Sequence, residues 1–409
     1  MCDLVSHALR AGLDRRAALA GLLGGTAALT VGAATPAAAA TPAAAAGQAA
    51  PEQAAPDLPP RQSGSDHHTR LVLLGTSGGP AWWPGTTRQG IASALVVGDR
   101  YYVIDAGYGV GPQLRRAKLG TWDDVDGGPL NQLRAIFLTH LHSDHIVDLN
   151  NLLTEGLANG LPQVDRPVQI WGPGDRGALP PRFGPPPTPP VTAPDNPTPG
   201  TADMVGLLIR AFATDINDRV FDNRRPVPSA VYSAHDVPLP AHLVADPNGN
   251  PHPRMSPVPF YEDDRVRVSA TLVQHAPAFP ALAFRFDTDD GSVVFSGDTS
   301  PSPNLVELAR DADILVHEVM DREWLEGFIP EPRDDAAEAL FQHILTAHTV
   351  VEDVGPIADE AGVPTLVLTH LAPGNWPEHK WRRAQRHYSG KLIVGRDLDV
   401  VGVGTRKRT

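Results

Sequence analysis

The stretch Thr139-His140-Leu141-His142-Ser143-Asp144-His145 places three imidazoles and a carboxylate within six residues, directly after the apolar run Leu133-Arg134-Ala135-Ile136-Phe137-Leu138. That run reads as a buried strand, so the cluster begins where a strand ends and the chain turns into a helix. Donors on a loop at a rigid strand edge suit a functional site. His140 and His142, two residues apart on extended backbone, point the same way, while Asp144 and His145 follow as the chain turns and offer a second group of donors. The split predicts two adjacent divalent ions. Neutral imidazole and carboxylate suit zinc, with manganese or iron as competitors, and ions about 3.5–4 Å apart can share a hydroxide nucleophile. An isolated His-x-His reads more simply as surface histidines; the whole cluster after an apolar strand reads as a metal site.

The His-x-His-x-Asp-His pattern resembles the hallmark motif of the metallo-β-lactamase superfamily. Leu74-Gly75-Thr76-Ser77-Gly78-Gly79 and the Gly172-Pro173-Gly174 turn further resemble its ribonuclease Z-like members, in which the first loop borders the metal site. Read on its own, a glycine-rich loop after the strand Arg70–Leu74 can cradle phosphate. Here no Lys-Ser/Thr follows, and Pro80 with Trp82-Trp83 is a poor helix start. The similarity spans about Leu71 to Gly174 and Val266 to Leu371 and implies an αββα sandwich; the alternation of strand and helix patterns by itself supports only an α/β class.

Three further strand ends carry donors. His275 closes the strand Val266–Val273, His370 closes the run Pro364–Thr369, and Asp298 lies in Ser296-Gly297-Asp298-Thr299, where glycine permits a sharp turn. The resemblance implies that His140, His142 and His275 hold one metal, that Asp144, His145 and His370 hold the other, and that Asp298 bridges them. Asp105, in Asp105-Ala106-Gly107 after a strand, reads either as a hydrogen-bonding support for the metal-binding loop or as a plain turn residue. His317-Glu318 is similar to the His-Glu-Ala-Thr motif of ribonuclease Z but continues Val319-Met320. It reads as a pair orienting a ligand or the general acid, or as a structural strand end. His348-Thr349 resembles the same family's His-Ser-Thr, which implies a place for His348 near the scissile phosphate. Thr349 reads as the N-cap of a helix running to Gly362. His67, His68, His235, His242, His252 and His343 read as surface or solvated residues.

Outside these motifs the chain divides by composition. Arg15-Arg16 ahead of an Ala/Gly/Leu stretch, with small-residue cleavage candidates between Ala37 and Ala46, predicts an export leader over residues 1–46 that is similar to twin-arginine signals. The stretch is poor in Leu, Ile and Phe for a spanning helix, so no stable membrane anchor is expected. Twin-arginine export carries folded proteins, so metal loading before secretion is compatible with the leader. Residues 47–69, rich in Ala, Pro and Gln, read as a disordered linker. The hydrolase domain is expected over residues 70–409, interrupted by an insertion at 176–263 with ten prolines between Pro180 and Pro199. Within the insertion Met204 to Phe212 predicts a short amphipathic helix with Leu207, Leu208 and Phe212 facing inward, and the whole reads as a substrate-selecting wall. The only cysteine, Cys2, falls in the leader, so no disulfide is expected in the mature protein even if it reaches an oxidising compartment. Net charge is −13; removing the leader's three arginines and two aspartates leaves about −14, which disfavours a long nucleic acid as partner.

The expected activity is metal-dependent ester hydrolysis by a metal-bridging hydroxide, with Asp144 orienting the nucleophile and His348 assisting the leaving group. A small phosphodiester is the first expectation, because the closest likeness is to ribonuclease Z while export would separate the chain from precursor tRNA. Aryl sulfate, lactone and β-lactam esters are the alternatives, and a non-catalytic metal-binding protein is the other class; the complete donor set argues against the last.

Overall fold

The computed structural model describes residues 57–124, 127–182 and 189–404. The leader read at residues 1–46, and the linker as far as residue 56, lie outside them. Among the described residues no helix is long and apolar enough to cross a membrane.

Among the described residues, fourteen strands make two seven-stranded sheets. In the N-terminal half run β1 (Thr69–Gly75), β2 (Ala92–Val97), β3 (Arg100–Ile104), β4 (Leu133–Phe137), β5 (Val168–Gly172) and β6 (Tyr232–Asp236). They are followed by β7 (Val258–Glu262), β8 (Arg267–Leu272), β9 (Leu282–Thr288), β10 (Gly291–Phe295), β11 (Ile314–Met320), β12 (Thr365–Ala372), β13 (Lys391–Val394) and β14 (Val400–Val403). The first sheet has the order β14-β1-β2-β3-β4-β5-β6 and the second β13-β12-β11-β10-β9-β8-β7. The chain therefore builds one sheet, then the other, and sends only β14 back to pair antiparallel with β1. Each sheet is antiparallel at one end and parallel at the other: β3 to β6 are parallel in the first, β10 to β13 in the second.

Strand alternation sorts side chains into three layers of core. Leu71 and Leu73 of β1 face the second sheet with Tyr102, Phe137, Phe284, Phe286 and Val316, whereas Val72 and Leu74 face outward beneath helices Val110–Arg116 and Leu149–Thr154. On the far side, Leu315, Leu366 and Leu368 pack under helices Pro303–Ala309 and Val351–Glu360. Strands buried on both faces read as continuous apolar runs, which is why Leu71–Leu74 and Leu366–Leu368 lack polar alternation. The αββα sandwich expected from the sequence is the observed architecture.

Five expectations need correction. Residues 57–69 are not a free linker: Asp57 accepts hydrogen bonds from the Thr86 and Thr87 hydroxyls, the Arg61 guanidinium donates from Nε and Nη2 to Asp399 Oδ2, and Val400 N donates to Arg61 O at 2.8 Å. His68 is likewise held, its Nδ1 being 2.6 Å from Asp290 Oδ2. The anchors are polar, so a search for apolar periodicity passes over them. The 176–263 segment is not only an excursion: it supplies β6 and β7, one edge strand of each sheet. In its helix Thr201–Ala211 the inward residues are Thr201 and Val205, with Leu208 partly covered, while Leu207 and Phe212 are exposed. The helix is phased by its packing on β6 rather than by its largest side chains. Finally, helix Val351–Glu360 has Val350 as its N-cap residue and no side-chain cap, because the Thr349 hydroxyl donates instead to Thr299 O at 2.6 Å.

Phe137 closes β4 immediately before the histidine cluster and meets Tyr261, Phe284 and Phe286 edge-on at 5.1–5.8 Å between centroids. Phe137→Ala is expected to destabilise the fold by about 3–5 kcal/mol, read from denaturant unfolding of the metal-free protein.

Candidate metal centre

All seven predicted donors lie at one edge of the sandwich, at or just past the ends of β4, β8, β10 and β12. After β4, His140 and His142 sit on extended backbone, and His142 is the N-cap of the short helix Ser143–Ile146 that carries Asp144 and His145. Asp298 follows Gly297, whose φ of 59° is left-handed and at which a Cβ would come within 2.6 Å of Leu282 O. Only glycine makes that turn without strain. His370 itself has φ 45°, a strained conformation for a residue with a Cβ, and it fits because Gly78 has no side chain: a Cβ there would stand 2.7 Å from His370 Nδ1. The glycine-rich loop thus borders the site.

The donors form two groups. His142 Nδ1 is 3.0 Å from His140 Nε2 and 3.1 Å from His275 Nε2. In the second, Asp144 Oδ2 is 3.3 Å from His370 Nε2 and 3.5 Å from His145 Nε2. Asp298 faces both: Oδ1 is 3.3 Å from His145 Nε2, and Oδ2 is 3.3 Å from His370 Nε2 and 3.8 Å from both His140 Nε2 and His275 Nε2. Donors about 2.0–2.1 Å from a tetrahedral ion stand roughly 3.3 Å apart, so the spacing fits divalent cations.

The chemistry of the donors fits as well. His145 Nε2 and Asp298 Oδ1 are buried, face one another at 3.3 Å and make no well-formed hydrogen bond among the described residues, so both remain open to a cation. Burial, reinforced by the neighbouring imidazoles, holds His140 well below the ordinary imidazole pKa, and burial likewise lowers His142 and His275. Their lone pairs are therefore available. Burial also works against a charged His145, but Asp298, Asp105 and Asp144 overcome it and raise its pKa well above the ordinary value. Burial opposes ionisation of Asp298, yet His370 and His145 hold it well below the carboxylate range.

Partners behind the donors set which nitrogen faces inward. His145 Nδ1 lies 2.8 Å from Asp105 Oδ2, and His275 Nδ1 donates to Ala347 O at 2.8 Å, so each presents Nε2 to the site. Asp105 also accepts from Thr139 N at 2.8 Å and from the Thr139 hydroxyl, tying the start of the cluster to the end of β3. Of its two sequence readings, the hydrogen-bonding support is the one observed.

His348 stands beside the centre, its Nδ1 3.0 Å from Glu318 Oε1 and 3.9 Å from Asp298 Oδ2. Glu318 is buried in β11 and also accepts from Thr299 N at 2.8 Å. Desolvation disfavours a charged His348, but Glu318 and Asp298 outweigh it and raise its pKa to about 9. The His317-Glu318 pair divides: Glu318 orients His348, whereas the fully buried His317 turns its Nδ1 to Glu318 O at 2.6 Å. His343, set aside as solvated, is half-buried within electrostatic reach of His348 and His142. Its five-residue offset from His348, along helix Asp335–Ala347, was the only hint.

Asp105→Asn keeps the shape and removes the charge behind His145. It is expected to weaken metal binding about 10–100-fold, measured by chelator competition, with little change in the circular dichroism of the fold.

Similarity to known proteins agrees with this geometry. Residues 85–214 match the metallo-beta-lactamase superfamily. Ribonuclease Z of Mycobacterium bovis (strain BCG / Pasteur 1173P2) is 31% identical over 340 residues, 82% of this chain and 99% of that protein. Ribonuclease Z of Mycobacterium sp. (strain KMS) is 33% identical over 339 residues, 81% of this chain and 95% of its own length. Among solved structures, the short form of human tRNase Z superposes with a TM-score of 0.50 at 19% identity, covering 82% of this chain and all of that one, a likeness of fold. The chain belongs to the ribonuclease Z family of the metallo-β-lactamase superfamily and is a metal-dependent hydrolase.

Proposed function

We propose that this chain is an exported dinuclear zinc hydrolase of small phosphodiesters, with His140, His142, His275, Asp144, His145, His370 and Asp298 as the ligands. The observation that carries this reading is the convergence of those seven donors with a separately held acid, the Glu318–His348 pair, beside the bridging carboxylate. Imidazole and carboxylate donors suit zinc; manganese and iron suit the same set less selectively. When bound, the cations supply Lewis acidity that offsets charge on the phosphoryl oxygens and lower the pKa of the attacking water.

The chain's own groups account for the rest. Asp144 orients the proton of the nucleophile. His348, its Nδ1 taken by Glu318, presents Nε2 to the departing oxygen and delivers the proton that an alkoxide needs. Small diesters are favoured over polynucleotides by the net charge of −13, which repels a long polyanion. Export rests on the leader reading and is tested by following a full-length fusion to the cell exterior, with Arg15-Arg16→Lys-Lys expected to retain it inside.

Two outcomes test the chemistry. Zinc-loaded protein from about Gly47 onward is expected to hydrolyse a chromogenic phosphodiester faster than aryl sulfate or lactone substrates and to lose that activity in Asp298→Ala. A preference for sulfate or lactone would overturn the ester class. His348→Ala is expected to cost about 10²–10⁴ in kcat for an alkoxide leaving group and much less for 4-nitrophenolate, which leaves unprotonated. For an alkoxide leaving group, the acid form of His348 is lost as pH rises through its raised pKa, so the wild-type rate falls on the alkaline side, and Glu318→Gln moves that limb to lower pH.

A further inference from the structure

A cavity of about 380 Å³ opens beside His142, one of the donors of the first group. Its size falls within the range of small-molecule sites. Leu141, which precedes His142, and Ile146, which follows His145, line it together with Met204 from helix Thr201–Ala211 and the Pro277–Pro280 loop that follows His275. His348 is not among the residues that line it.

The lining decides what the cavity can hold. Among the described residues around the cavity, Arg176 is the one lysine or arginine, and its guanidinium is spent on neutral oxygens. It donates to Pro277 O and Pro247 O at 3.3 Å, to Asn248 Oδ1 at 2.7 Å and to Ala178 O, and the residue is 8% exposed. Arg176 is therefore a brace joining three segments of chain. A sugar-phosphate backbone would find little to pair with here, whereas an aryl or branched alkyl group would meet Leu, Ile, Met, Pro and Phe side chains.

We propose that this cavity binds the apolar, non-leaving arm of the diester, and that Met204 and the Pro277–Pro280 loop set the size it accepts. The proposal rests on the phosphodiester reading for the name of the reacting group, but binding tests it separately from turnover. Diphenyl phosphate and dimethyl phosphate are titrated calorimetrically into zinc-loaded protein, and bis(4-nitrophenyl) phosphate and methyl 4-nitrophenyl phosphate, which share a leaving group, are compared as substrates. Filling the pocket is tested from two segments, with Met204→Trp and Ala278→Phe, each checked for native-like unfolding.

The expected result is at least about tenfold tighter binding of the diphenyl ester, as for other apolar subsites, and a matching preference in KM for the diaryl substrate. Both preferences fall toward unity in at least one variant that folds. Equal affinities, no binding of either ester, or a preference untouched in both variants would overturn the proposal. Selective binding that the variants abolish, without turnover of either diester, would retain the pocket and reject the phosphodiesterase reading.

Discussion

A fully buried carboxylate held between two sets of imidazoles is the constraint on which the rest of the site depends. Asp298 has 3% of its side chain exposed and stays ionised only because His370 and His145 stand at 3.3 Å and outweigh the desolvation. That balance holds only if four strand ends from two different sheets meet within an ångström or so of their proper places. The spacing is set by the apolar layer between the sheets, above all the Phe137, Phe284 and Phe286 contacts directly beneath the cluster. Core and centre are therefore one problem: loosening the layer moves the donors.

A second carboxylate layer makes the geometry specific. Asp105 behind His145 and Glu318 behind His348 are both buried, and each also takes a backbone N–H, from Thr139 and Thr299 respectively. The same two side chains thus fix a ring and the loop that bears the next functional residue. Two of the eight described non-glycine residues with positive φ, Asp105 and His370, lie at the centre.

The proline-rich segment between the two halves does two jobs that its composition conceals. It completes both sheets by adding β6 and β7 at their edges, and it lays Met204 and Arg176 against the cavity beside His142. Pro-rich backbone has few N–H groups for a ladder, so its irregular part is held by side chains such as Arg176 and Asp175, the latter accepting from Gly177 N and the Thr198 hydroxyl.

Much of this was legible in the chain itself. Strand ends followed by His, Asp or Gly-Asp are short-range patterns, and the periodicity of Leu71–Leu74 or Leu366–Leu368 marks buried strands whatever lies across from them. The cluster at 140, 142, 144 and 145 could be named from that; His275, Asp298 and His370 stood out as strand-end candidates and became ligands through the resemblance, and the structure brings all seven together. Resemblance then supplied the sandwich. What the chain alone left open were facts about partners distant in sequence. Asp105 as support needed His145, 40 residues on. The fate of Thr349 turned on Thr299, 50 residues back. The phase of helix Thr201–Ala211 was set by β6, and residues 57–69 were ordered by Asp399 and Val400 at the other end of the chain. Local pattern determines which residues can carry charge or coordinate at a strand end; which of them do so, and what holds them there, is decided by long-range pairing, whose desolvation and hydrogen-bond energies no window of sequence contains.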